Sequence, residues 1–296
     1  MKPITIFTGT SGLNTVLDPA RIPMGEGGVS DVAEMVNLSI DESGRPSKRV
    51  GLTLLESGDF HSLYCDGGDC FVAKNRTNDT AIYQLAADGT TAGIRSGLAL
   101  GSRVAFKQYT DKTYYANGYQ TGIIEGGASG AWEVGTYHGV ATDRSFDIPA
   151  GITHLEIHNG RMYATTDNIL WWSEPFRFDL FDLARSFVMY GSKIRMIKQV
   201  AGGLYVSTER NIYFISGGKP NEFQQRKVAS FPAVEWSDAI EYVDGGDLGF
   251  GPGLCVYRGN IWRGNGSFVG KYCSGNCSTN YCPRHVFWSA KNAIPE

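Results

Sequence analysis

Leu155-Glu156-Ile157-His158-Asn159-Gly160-Arg161-Met162-Tyr163-Ala164, continued by Asn168-Ile169-Leu170-Trp171-Trp172-Ser173, is the stretch on which the fold reading turns. A short strand runs into Asn-Gly, one of the dipeptides that supply positive φ to a two-residue hairpin. A second, aromatic-rich strand leaves the turn and a third follows it. Copies of this unit recur along the chain, at Leu63 to Val72, Phe106 to Tyr115, Ile197 to Val206 and Ile240 to Gly249. With Gly67, Asp111, Asn159, Gly202 and Gly245 as the turn positions, the steps are 44, 48, 43 and 43 residues. Asn168 to Ser173 and Asn211 to Ser216 start 43 residues apart, so the register holds through the unit and beyond its turn.

A period of roughly 40–50 residues with several strands per unit is the signature of a propeller blade. Leucine-rich repeats are shorter, and helical repeats need a 3.6-residue periodicity. The expected fold is therefore all-β, a β-propeller of about five to six blades with an extended N-terminal arm. A large sandwich built from regular hairpins is the alternative. Residues 1–50 form the arm, carrying Pro19, Pro23 and Pro46 and a strand-like piece from Val32 to Ile40; residues 51–296 form the propeller with a cysteine-rich C-terminal segment. A sixth blade is expected to combine residues 261–296 with part of the arm, which would cover edges that an open array exposes.

Composition agrees. The chain has 296 residues, with 38 glycines, 15 tyrosines and 15 phenylalanines, enough for one large all-β domain. Phe178 to Phe187 is the best helical candidate, and it is short and aromatic. A formal charge of -3 gives no global electrostatic footprint of nucleic-acid binding. No run approaches the ~20 apolar residues that span a bilayer. Met1 to Phe7 lacks the pattern of a secretion signal, so synthesis in the cytoplasm is expected.

Gly12-Leu13-Asn14-Thr15, Asp18-Pro19, Val36-Asn37-Leu38-Ser39-Ile40 and Gly44-Arg45-Pro46-Ser47-Lys48-Arg49-Val50-Gly51 together resemble the N-terminal pattern of tailed-phage tail propeller proteins. That family includes nozzle and packaged-DNA stabilisation proteins. Gly160-Arg161-Met162-Tyr163, Trp171-Trp172-Ser173-Glu174-Pro175 and Phe178-Asp179 are similar to its blade pattern, an aromatic pair before Ser-x-Pro. The resemblance covers about half the chain. It implies a non-catalytic structural virion protein in a symmetric homo-oligomeric ring, lining or closing the DNA exit path. The implied partners are other tail proteins: the adaptor, portal-proximal proteins or tip proteins. DNA would pass without specific binding, because strong phosphate contacts would hold it in place. The short length and cysteine-rich tail depart from the family and leave open a position at a tail tip or hub.

Cys273, Cys277, Cys282 and His285 fall within 13 residues, with Cys255 upstream. Three thiolates and an imidazole suit a tetrahedral zinc site, and the four cysteines equally suit an iron–sulfur cluster. Disulfides or inert thiols are the alternatives. Cys65 and Cys70 flank Gly67-Gly68. If that pair is the turn, Asp66 and Asp69 form the hydrogen-bonded pair and the cysteines face each other at the closer, non-hydrogen-bonded site, where a disulfide is feasible.

No serine sits in a Gly-x-Ser-x-Gly elbow, and the glycine pairs lie at hairpins, outside any strand-to-helix phosphate loop. His154 and His158 share a strand face by alternation and form a weak candidate metal pair. Glu174, Asp179 and Asp182 are the carboxylates that a propeller glycosidase would use. Trp171, Trp172, Trp262 and Trp288 either stack sugars or fill the space between blades. The expected function is structural and not enzymatic, with loops Gly126 to Arg144 and Phe176 to Arg185 as contact surfaces. A host-receptor or glycan-binding propeller is the first alternative and a propeller glycoside hydrolase the second.

Overall fold

A computed structural model describes residues 38–40, 46–48, 52–66, 69–86, 88–139, 144–200, 202–233, 235–236, 254–257 and 259–264. Two units are distinguished: residues 1–53 with 264–266, and residues 54–263 with 267–296. In the first, strands β1 (Leu38–Ile40) and β2 (Pro46–Lys48) form an antiparallel hairpin. Strand β3 (Leu52–Glu56) leads into the second unit.

The second unit is all-β and built from consecutive antiparallel sheets. The first sheet is the meander β4 (Phe60–Asp66), β5 (Asp69–Asn75), β6 (Thr80–Leu85) and β7 (Thr91–Leu98). The second is β8 (Ala105–Tyr109), β9 (Lys112–Ala116), β10 (Thr121–Glu125) and β11 (Ala128–Gly130). The third adds β12 (Phe146–Asp147) at the edge of β13 (His154–His158), β14 (Arg161–Thr166), β15 (Ile169–Glu174) and β16 (Arg177–Asp182), with β17 (Phe187–Met189) also paired to β15. The fourth is β18 (Ile194–Val200), β19 (Gly203–Thr208), β20 (Ile212–Ser216) and β21 (Gln224–Ala229). A one-turn 3-10 helix, Pro220–Glu222, joins the last two strands. In the fifth sheet β22 (Leu254–Tyr257) and β23 (Asn260–Gly264) are joined by β3, in the order β22-β23-β3.

Four of the turns read from the repeat separate the first two strands of a sheet. The first two, Gly67 and Asp111, lie between β4 and β5 and between β8 and β9; Asn159 and Gly202 do the same for β13–β14 and β18–β19. The fifth, Gly245, lies outside the described residues, as do Val32 to Asn37 of the arm. The first strands of successive sheets are spatial neighbours: β22 lies beside β4, β4 beside β8, β8 beside β13, and β13 beside β18.

The core lies between sheets. One cluster joins Phe71, Ile82 and Leu98 of the first sheet to Phe106, Tyr115 and Ile124 of the second. The next joins Ala116 and Trp132 to Leu155, Met162 and Phe181, and a third joins Tyr163 and Leu170 to Ile194, Leu204 and Ile215. The fourth sets Ile261 of β23 against Phe60, Val72 and Leu85. A strand between two sheets buries both its faces, which accounts for the adjacent pair Trp171-Trp172. Alternation sends Trp171 to the second cluster and Trp172 to the third. Of the four tryptophans read from the sequence, these two pack between sheets; the side chains of Trp262 and Trp288 lie outside the described residues.

Phe178 to Phe187 is not helical. Phe178, Leu180 and Asp182 are buried at period two on β16, and Phe181 pairs with Ser173 of β15. Aromatic residues alternating with Asp fit a pleated surface better than a helix. The same finding removes most of the expected Phe176-to-Arg185 loop. In the Gly126-to-Arg144 segment, β11 is ordered and Trp132 is buried, its Nε1 donating to the Phe178 carbonyl at 3.0 Å.

Candidate functional site

Two groups of side chains gather along the first strands β4, β8, β13 and β18, which are neighbours in space. The first group is a row of charges. Lys107, Glu156 and Lys198 occupy the same register, each opposite a tyrosine of the next strand: Tyr114, Tyr163 and Tyr205. Glu156 is 2% exposed. Its carboxylate pairs with Lys107 on one side and Lys198 Nζ at 3.7 Å on the other, and it accepts the Ile157 N–H at 2.9 Å. A buried carboxylate held by two ammonium groups is satisfied, and the row ties three sheets together.

The second group surrounds a cavity of about 280 Å³ at the strand starts, lined by Ser62, Leu63 and Tyr64 of β4, by Arg103, Val104 and Phe106, and by Trp236. The Ser62 hydroxyl accepts the Val104 N–H at 3.0 Å and contacts His61 Nδ1 at 2.8 Å. The Tyr64 hydroxyl accepts the Gln108 N–H at 2.9 Å, and its ring stacks on Phe106 at 5.9 Å. Trp236 donates its backbone N–H to the Arg195 carbonyl at 3.1 Å, and its indole stacks on the His154 ring at 4.3 Å. Two of the lining residues hold left-handed backbone, Ser62 at φ 54 and Trp236 at φ 62. The β4–β5 ladder shifts register between His61 and Tyr64, so a bulge presents Ser62 to the cavity.

His154 is buried beside this site. Burial pushes its pKa down to about 4, against a smaller upward pull from the Arg195 backbone. Its Nδ1 lies 3.0 and 3.1 Å from the Thr153 and Thr165 hydroxyls. His158 is buried too, but four residues along a strand span about 13 Å, too far for both rings to hold one metal ion. The conceivable His154–His158 metal pair is therefore ruled out. Sequence reasoning missed the cavity because its walls come from separate copies of the repeat. No local sequence signal marks it, since Ser62 and Trp236 hold left-handed backbone that their residue types do not announce.

Glu174, Asp179 and Asp182 each have cationic or backbone partners. Glu174 pairs with Arg144 at 2.7 Å and Asp179 with Arg177 at 2.8 Å. Asp182 lies 3.9 Å from Arg144 Nε and accepts the Ala184 N–H at 3.1 Å. Cys65 and Cys70 form a disulfide across the pair expected from the turn, with Asp66 opposite Asp69 and the cysteine Cα atoms 4.1 Å apart. The proposed metal ligands Cys273, Cys277, Cys282 and His285 lie outside the described residues, as does the side chain of Cys255 on β22. Among the described residues no cluster of three or more His, Cys, Asp or Glu is placed to hold a metal, and no helix is long and apolar enough to cross a membrane.

No protein-family model and no curated protein matches the chain. Solved structures similar to it include the AfRom2 CNH domain, at 10% identity and a TM-score of 0.39 over 68% of this chain and 62% of that one. Sqt1 from Saccharomyces cerevisiae is similar at 9% identity and a TM-score of 0.36, over 63% of this chain and 54% of that one. A functionally unknown protein from Desulfotomaculum acetoxidans is similar at 11% identity and a TM-score of 0.35, over 62% and 58%. The chain spans less than two thirds of the length of each.

Proposed function

We propose that the second unit is a β-propeller of five to six blades and that the protein is a non-catalytic component of a phage tail. On this reading it assembles with copies of itself into a ring on the DNA exit path and docks other tail proteins. The observation that carries the propeller is the neighbour order of the first strands, β22, β4, β8, β13 and β18, with a core cluster between each pair of consecutive sheets. Radial repetition of meanders produces that order. The tail assignment rests on the resemblance of Gly12 to Gly51 and Gly160 to Asp179 to tail propellers. A structural role also suits Glu156, whose carboxylate is committed to two lysines and a backbone amide.

The test is deletion of the gene from the phage that encodes it, with complementation in trans, followed by nuclease protection of packaged genomes. Heads that fill and then lose their DNA support the exit-path role. Heads that keep their DNA in particles that no longer adsorb to cells overturn it in favour of a receptor-binding propeller. Particles that adsorb but no longer degrade host polysaccharide overturn it in favour of a hydrolase.

A further inference from the structure

The cavity at the strand starts combines features that a space between blades does not require. Its lining includes the aromatic residues Tyr64, Phe106 and Trp236, with the Tyr64 ring stacked on Phe106. Arg103 stands at its edge, exposed, with no ion pair among the described residues. A guanidinium recognises a carboxylate in a planar, two-point manner that an ammonium does not provide. Two lining residues, Ser62 and Trp236, hold left-handed backbone although neither is glycine, and Ser62 is also set by a bulge. Such conformations cost free energy and cluster where a ligand or partner is held.

Chemistry narrows the ligand. The Ser62 hydroxyl is already engaged by the Val104 N–H and His61, which leaves Arg103 as the charged side chain of the lining. The volume, about 280 Å³, sits at the small end of ligand pockets. The Trp236 backbone N–H donates to the Arg195 carbonyl and its indole stacks on the His154 ring, so this side of the lining is preorganised.

We propose that this cavity binds a carboxylate carried next to a flat apolar group, with Arg103 pairing the carboxylate and Tyr64, Phe106 and Trp236 enclosing the apolar body. Two sources share that chemistry: a free small aromatic acid, and the C-terminal aromatic residue of a partner chain. The proposal stands on the cavity alone and is independent of the tail assignment.

Titration of the full chain by ligand-detected NMR and calorimetry tests it. The probes are 3-phenylpropanoate, its amide, a short peptide ending in phenylalanine with a free carboxylate, and the same peptide amidated. Both carboxylates are expected to bind saturably, with each amide and the Arg103→Gln variant weaker by about tenfold or more. Arg103 is exposed, so this variant keeps its fold, which circular dichroism checks. A free-carboxylate peptide that binds tighter than the small acid assigns the site to a partner's C-terminus, and the reverse assigns it to a free acid. Amides that bind as well as the acids, binding unchanged in Arg103→Gln, or no saturable binding of either acid would overturn the proposal.

Discussion

His154 illustrates how one residue sets a condition on the whole fold. Its ring is enclosed between the Thr153 and Thr165 hydroxyls and the Trp236 indole, where an imidazolium is poorly solvated. Between the ordinary value of 6.5 and about 4, the unfolded chain binds the proton and the folded one does not. Stability contributed by the neutral ring is thus complete above 6.5 and is lost as pH falls through that window. Burial also lowers His61 and His158, in the same direction. We expect the folding free energy to drop by about 2 kcal/mol from His154 alone between pH 7 and pH 5. Urea titrations at the two pH values measure this, and His154→Gln should flatten the dependence; an unchanged slope in that variant refutes the assignment. The histidine was visible in the sequence, and its strand face followed from alternation. Its burial was not, because Trp236 comes from beyond the fourth sheet and no periodicity links the two positions.

At the scale of strands, register was the legible quantity. The turn dipeptides set which residues face each other, and so Cys65 opposite Cys70 followed from Gly67-Gly68 alone. The bond closes a very short loop, with a sequence separation of 5, so it restricts the unfolded chain little. Reduction in native buffer should cost at most about 2 kcal/mol, read from urea titrations with and without reductant. Charge placement was legible only in part: Lys107, Glu156 and Lys198 fall at matching positions of the repeat, yet their pairing depends on strands of different sheets lying side by side. Glu156→Gln leaves two ammonium groups facing each other without a counter-charge and should destabilise by on the order of 3 kcal/mol. Replacing the set with apolar residues, in Lys107→Met, Glu156→Leu and Lys198→Met, should cost less than that single change. A triple variant less stable than Glu156→Gln would show that the row does more than satisfy a buried carboxylate. Phe178 to Phe187 misled as a helix because a ten-residue window with buried residues at both odd and even positions does not declare its period, and only the pairing of Phe181 with Ser173 decides it.

Across the molecule, four copies of the repeat each open a described sheet, but the repeat did not reveal how the first and last described strands meet. The expected sixth blade, residues 261–296 with part of the arm of residues 1–50, lies mostly outside the described residues. The strand that joins β23 is β3, whose last residues Leu54, Leu55 and Glu56 belong to the second unit. Nothing in the local sequence marks this, since strands at opposite ends of a chain carry no shared turn. The junction is held by several bonds: Gly58 donates its N–H to Asn260 Oδ1 at 3.0 Å and Phe60 to the Gly259 carbonyl at 2.9 Å. Glu56 also accepts from Lys74 and from the Thr91 hydroxyl, at 3.0 and 3.1 Å, which fixes β3 to the first sheet. Leu55 packs on the cluster around Phe60 and Ile261. Removing β3 would therefore expose a bare strand edge on β23 and open that cluster at once, two effects that favour aggregation. A chain starting at residue 52 retains these bonds, whereas one starting at residue 58 loses β3 with the Glu56 and Leu55 contacts. The first should unfold cooperatively at nearly the same urea concentration as the full chain, and the second should be less stable by several kcal/mol and elute as aggregates in size-exclusion chromatography. Equal midpoints for the two truncations would mean that β3 is an appendage and that the fifth sheet is held by other contacts.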